Sequence, residues 1–154
     1  MWMGLIILLG GYLFIRLNTN TKDKPDLRPY SSEISLDKVD IECGDGADEM
    51  EVVGESNYIR TMWRYLPKSV GKGKFRVKMV FTLRDDSSNP HDNNAVSVTI
   101  GGDVVGYLSR ADARSYRRWA SANKRTVKAT CRGVVVGDYP EGYGIWLEMP
   151  SEAN

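Results

Sequence analysis

"AVSVTIGGDVVGYL", residues 95–108, consists of two runs rich in Val, Ile and Thr, joined at Gly101-Gly102-Asp103. Glycine accepts the positive φ of tight hairpin turns, so the stretch reads as two antiparallel strands, 95–100 and 104–108. Upstream, "KFRVKMVFTL" (74–83) alternates strictly. Phe75, Val77, Met79, Phe81 and Leu83 fall on one face and Arg76, Lys78 and Thr82 on the other, the pattern of a half-buried strand. Downstream, Ser109 and Asp112 form an S-x-x-D helix start, and Ala113, Tyr116, Trp119 and Ala120 follow on that helix.

The same reading extends to both ends of the domain. "EMEVVG" (49–54) is an expected strand ended by Gly54. "SNYIRTMWRYL" (56–66) has Tyr58, Ile59, Met62, Trp63 and Leu66 at helical spacing, and Pro67 stops it. "TVKATCRGVVV" (126–136) and "YGIWLEM" (143–149) are two more expected strands, and Trp63, Trp119 and Trp146 are expected core residues. The predicted order is β-α-β-β-β-α-β-β. Two helices cannot cover both faces of a sheet. The expected fold is therefore mainly β with two helices (α+β): a small, OB-like or SH3-like, partly open β-barrel with the helices plugging its ends.

The 154-residue chain divides into three parts. "MWMGLIILLGGYLFIRL" (1–17) has no charge before Arg16. With that arginine snorkelling, the ~17 apolar residues reach the lower limit for a membrane span. No basic residue precedes it, while Arg16, Lys22, Lys24 and Arg28 follow, so the positive-inside rule expects one N-terminal transmembrane helix with the remainder cytoplasmic. Residues 18–48 contain two prolines, many acids and few large apolar residues, and read as an acidic, flexible linker. From Asn18 to Glu49 there are four Lys/Arg against nine Asp/Glu; from Met50 onward there are sixteen against eleven. An acidic connector thus precedes a mildly basic domain, 49–150.

Enzymatic chemistry is removed by elimination. One histidine and two distant cysteines, Cys43 and Cys131, form neither a zinc quartet nor a disulfide framework. No G-x-S-x-G accompanies His91. "GKGKF" (71–75) precedes a strand, the wrong context for a phosphate loop. The paired acids Asp85 and Asp86 at a strand end are expected to be solvated. The expectation is a binding module with no catalytic residue, no metal, no cofactor and no small-molecule substrate.

"RDDSSNPHDNNAV" (84–96) links two strands. Asn, Asp, Ser and Pro make turns by bonding their own backbone, and Asn94 in particular is expected to pin the loop in this way. Yet thirteen residues is long for a hairpin connection, and long loops in compact domains are often functional. Arg114, Arg117, Arg118, Lys124 and Arg125, along and after the second helix, read either as a phosphate-tracking face or as an ordinary solvated one.

Four blocks in order, "VVGESNY" (52–58), "LRDDSSNPHDNNAVSV" (83–98), "VVGYLSRADARSY" (104–116) and "YGIWLEMP" (143–150), resemble the HIRAN domain family over about residues 49–150. HIRAN domains occur at the front of fork-remodelling helicases and as stand-alone bacterial proteins. In the helicases the domain is an OB-like barrel that binds the 3′-hydroxyl end of single-stranded DNA. The resemblance implies that Asp92 accepts a hydrogen bond from the terminal hydroxyl, and that Asn89 fixes the terminal nucleotide. It places His91 where an aromatic residue packs, Tyr107 facing the DNA, Arg110 on a phosphate and Tyr58 stacked on a base. Asn57 stands where the family carries a second stacking tyrosine, which lowers the expected affinity by about 1–3 kcal/mol. Two functions follow as expectations: a membrane-tethered binder of single-stranded DNA ends, or a membrane-anchored protein- or peptide-interaction module on the same barrel.

Overall fold

The computed structural model describes residues 39–42, 48–71 and 73–153. The expected anchor, 1–17, and most of the expected linker, 18–48, lie outside the described residues. No helix among the described residues is long and apolar enough to cross a membrane.

Six strands form a closed barrel in the order β1-β4-β3-β2-β5-β6: β1 (Asp48–Val53), β2 (Gly73–Asp85), β3 (Val96–Ile100), β4 (Asp103–Leu108), β5 (Ala129–Tyr139) and β6 (Gly142–Met149). Every neighbouring pair is antiparallel. Closure corrects the expectation of a partly open barrel, and β1 is the cause. Its first part pairs with β6, from Asp48↔Met149 to Glu51↔Trp146, and its last two residues cross to β4, Val52↔Leu108 and Val53↔Tyr107. Gly106 makes that crossing possible. A Cβ there would lie 2.4 Å from a Val52 methyl and 3.1 Å from the Val53 carbonyl.

The barrel interior is filled by the alternating residues of these strands. Phe81, Leu83, Val98, Val135, Ile145 and Leu147 are fully buried. All of β3 is buried, and its outer-face hydroxyls are satisfied: Ser97 Oγ donates to the Arg84 carbonyl (3.4 Å) and Thr99 Oγ1 to that of Thr82 (3.0 Å). The hairpin of 95–108 forms as expected, with positive φ at Gly101 and Gly102.

Two shifts from the expected boundaries have local causes. The strand expected at 126–136 is β5, running from Ala129 to Tyr139. Its partner β2 fixes both ends of the ladder, at Leu83↔Ala129 and Gly73↔Tyr139. Before Ala129 the backbone bonds elsewhere: the Val127 carbonyl accepts from the Tyr116 hydroxyl (2.8 Å) and the Lys128 carbonyl from Thr126 Oγ1 (3.0 Å). The helix expected over 56–66 is a 3-10 turn, Glu55–Tyr58, followed by α1 (Ile59–Tyr65), and Leu66 is already extended ahead of Pro67. The tryptophans also depart from expectation. Trp63 and Trp119 are half-buried against the core, whereas Trp146 lies on the outer face, its ring over Gly144.

The second helix, α2 (Arg110–Ala122), is capped as the sequence predicts. Ser109 Oγ accepts from the Asp112 N–H (3.1 Å) and its hydroxyl donates to Asp112 Oδ2 (2.6 Å). The last part of the expected linker touches the barrel. Ile41 is 3% exposed and forms an isolated parallel bridge with Cys131. Beside it, Asp40 Oδ2 accepts from the Thr130 N–H (2.7 Å), and Arg125 donates to the Asp40 carbonyl (2.6 Å).

Candidate nucleic-acid interface

Between β2 and β3 the chain folds into consecutive turns, each held by a side-chain oxygen. Asp85 Oδ1 accepts from the Ser87 N–H (3.0 Å), Asn89 Oδ1 from that of His91 (3.0 Å) and Asp92 Oδ1 from that of Asn94 (2.8 Å). Backbone bonds Asp86 N–H to Ala95 (3.0 Å) and Ala95 N–H to Asp92 (3.0 Å) close the loop. This is the local chemistry that makes Asp and Asn turn-formers. Asn94 contributes its backbone N–H and carbonyl, not the side chain expected to pin the loop.

Asp86 is the hub. Its Oδ2 accepts from the Tyr107 hydroxyl (3.1 Å) and from Asn89 Nδ2 (3.4 Å), and its Oδ1 from Ser88 Oγ (3.3 Å). Burial, and then the acceptor Asp86, push the Tyr107 phenol well above the usual range, so it stays a hydroxyl donor at any physiological pH. The Tyr58 ring lies 6.4 Å from that of Tyr107, tilted by 47°.

The helix α2 closes the other side through two arginines. Arg110, in its first turn, donates to the His91 carbonyl (2.9 Å). Arg117, seven residues later and so two turns along the same face, donates to the carbonyls of Asn94 (2.9 Å) and Ala95 (3.0 Å) and pairs with Asp85. The Arg117 guanidinium holds the Asp85 carboxyl below its usual range. The expectation that Asp85 and Asp86 are merely solvated is therefore corrected. Asp85 is tied to an arginine and Asp86 organises the loop.

Tyr58, Asn89, His91, Asp92, Tyr107 and Arg110 thus meet at one end of the barrel. Bonds through Asp86, Asn89 and the His91 carbonyl join five of them, and Tyr58 stands beside Tyr107. Asp92 spends Oδ1 on the loop, and its Oδ2 has no hydrogen-bond partner among the described residues. A carboxylate oxygen left open on a loop to which an exposed arginine and Tyr107 also bond, with the Tyr58 ring near that of Tyr107, suits a ligand carrying a hydroxyl, a phosphate and a flat ring. No group of three metal-ligating side chains is brought together among the described residues.

The sequence reading offers Arg117 only as part of a phosphate-tracking or solvated face and Asp86 only as a solvated acid, and neither as an organiser of the loop. Arg117 had a legible signal, its seven-residue spacing from Arg110. Asp86 had none, because its partner Tyr107 comes from another strand. Arg117→Met is expected to lower stability by about 1–2 kcal/mol, since the partly buried Ala95 carbonyl loses its donor while water reaches the exposed Asn94 carbonyl and Asp85. The variant also changes the acid response. Because Asp85 is depressed below 3.8 when folded, its contribution is present above that pH and lost as pH falls below it. Urea titrations at pH 7 and pH 3 should show a smaller acid loss in Arg117→Met than in the wild-type chain.

The family model described as the HIRAN domain matches residues 53–148. No curated protein and no solved structure matches the chain.

Proposed function

We propose, on the premise that this chain belongs to the HIRAN domain family, a family associated with DNA binding, that it is a non-catalytic module for single-stranded DNA with a free 3′-hydroxyl end. The observation that carries this reading is the Asp92 carboxylate, held through one oxygen and open at the other, on the loop whose Asp86 accepts from Tyr107 and whose His91 carbonyl accepts from Arg110. A carboxylate accepts from a terminal hydroxyl and repels a terminal phosphate. Asn89, oriented by Asp86, positions the terminal nucleotide. Tyr58, Tyr107 and His91 supply ring surface for its base and sugar. Arg110, with donors left beyond its bond to His91, holds the adjacent phosphate, helped by the start of α2. The apolar run at 1–17, with Arg16 near its end and Lys22, Lys24 and Arg28 after it, supports tethering of this module at the cytoplasmic side of a membrane.

Fluorescence anisotropy with the full chain tests the reading. The labelled probes are a single strand ending in a 3′-hydroxyl, the same strand ending in a 3′-phosphate, and a blunt duplex. A clear preference for the free hydroxyl is expected. Equal, weak and salt-sensitive binding of all three would reduce the loop to a structural turn beside a basic surface.

A further inference from the structure

The sequence groups Arg114, Arg117, Arg118, Lys124 and Arg125 as one basic cluster; the fold divides them by what they hold. Arg117 is spent on the loop, through Asn94, Ala95 and Asp85. Arg125 is spent on the Asp40 carbonyl and lies over the Trp119 ring. Arg114 and Arg118 remain exposed, and neither forms an ion pair among the described residues. Arg118 touches only the neutral Ser115 hydroxyl (3.1 Å). Asp112, the carboxylate of α2 itself, is already engaged by Ser109.

Arg110, Arg114 and Arg118 are each four residues apart on α2. At 1.5 Å per residue they form a stripe of three cations about 6 Å apart, drifting slowly around the helix. The stripe begins at Arg110, which is bonded to the loop at His91, and continues along α2 beside Arg117, which holds the same loop at Asn94 and Ala95. We propose that Arg114 and Arg118 are a backbone track, which holds successive phosphates of a single strand whose 3′ end sits at the loop. This rests on the reading of the loop as an end site. It assigns to the track the length- and salt-dependent part of binding, and to the loop the choice of terminus. A nucleic-acid strand fits the stripe better than a folded partner. The cations recur at regular intervals along one line, and no large exposed apolar side chain of α2 interrupts them.

The test uses the full chain and the double variant Arg114→Gln/Arg118→Gln, in which glutamine keeps the helix propensity. Binding of a dinucleotide, whose single phosphate reaches only Arg110, and of a ten-nucleotide strand, both with 3′-hydroxyl ends, is measured over a range of salt. The double variant is expected to bind the longer strand on the order of tenfold more weakly at low salt, with a log–log salt slope shallower by about 1.4. Dinucleotide affinity, preference for the 3′-hydroxyl and thermal stability should match the wild-type chain. If the longer strand binds the variant as it binds wild type, while the terminal preference persists, the track is wrong and the end site stands. If wild type shows no terminal preference, the end site fails and takes the track with it. If a ten-residue polyglutamate binds as tightly as the DNA and loses as much in the variant, α2 is a general anion surface and the proposal is overturned.

Discussion

Asp92→Ala is expected to erase the distinction between a 3′-hydroxyl and a 3′-phosphate strand, and to weaken binding of the hydroxyl form by about 10–150-fold, the range of a charge-assisted hydrogen bond of ~1.5–3 kcal/mol. Two terms contribute. The alanine cannot accept from the terminal hydroxyl. It also removes the acceptor for the Asn94 N–H, so the turn that presents the site loosens. Asp92→Asn separates them. The single asparagine oxygen still accepts from the Asn94 N–H, and the amide NH2 takes the open position, where it donates to a hydroxyl or a phosphate oxygen and carries no charge to repel a phosphate. The asparagine variant should therefore keep most of its affinity for the hydroxyl end and gain affinity for the phosphate end. Anisotropy with both probes on wild type and both variants checks this. Identical ratios in all three proteins would remove Asp92 from the site.

Phe81→Ala should cost about 3–5 kcal/mol, at the upper end of that range, and lower the melting temperature by about 15 °C or more. Phe81 is fully buried near the middle of β2. Its ring lies against Gly133, where a built Cβ would stand 3.1 Å from Phe81 Cδ2 and 2.7 Å from the Trp146 carbonyl. A glycine wall has no side chain that can turn into the void, so the cavity stays open. The loss is a large part of the ~5–15 kcal/mol available to a domain. Lys68→Ala, at an exposed position, should stay within about 0.5 kcal/mol. Calorimetry on the three chains gives the comparison, and a Phe81→Ala melting point near that of wild type would contradict the packing argument.

The outline of the barrel was legible because its strands carry their faces in their pattern. The alternation of 74–83 and the Gly101-Gly102 turn needed no information from elsewhere in the chain. The Ser109–Asp112 cap was legible for the same reason, since both partners lie within one helical turn. Trp146 was misassigned because hydrophobicity alone does not say which side of a sheet a residue faces. Its register with Val134 and Glu51 puts it outside, over a glycine.

The candidate site divides along the same line. That 84–96 is a turn-rich loop, with Asn89, His91 and Asp92 within it, is written in residue types that bond their own backbone. The convergence of that loop with Tyr58, Tyr107 and α2 is not written there. It depends on Asp86 meeting Tyr107 across 21 residues and on Arg117 meeting Asp85 across 32. The sequence by itself determined the strands, the caps, the turns and the basic helix. Tertiary structure alone decided that the barrel closes, that Asp86 is the hub and that Arg117 is a clamp while Arg114 stays open. The physical reason is range. Propensity and periodicity are settled by neighbours in the chain, whereas closure and pairing of charges depend on which distant groups the folded register brings within hydrogen-bond distance.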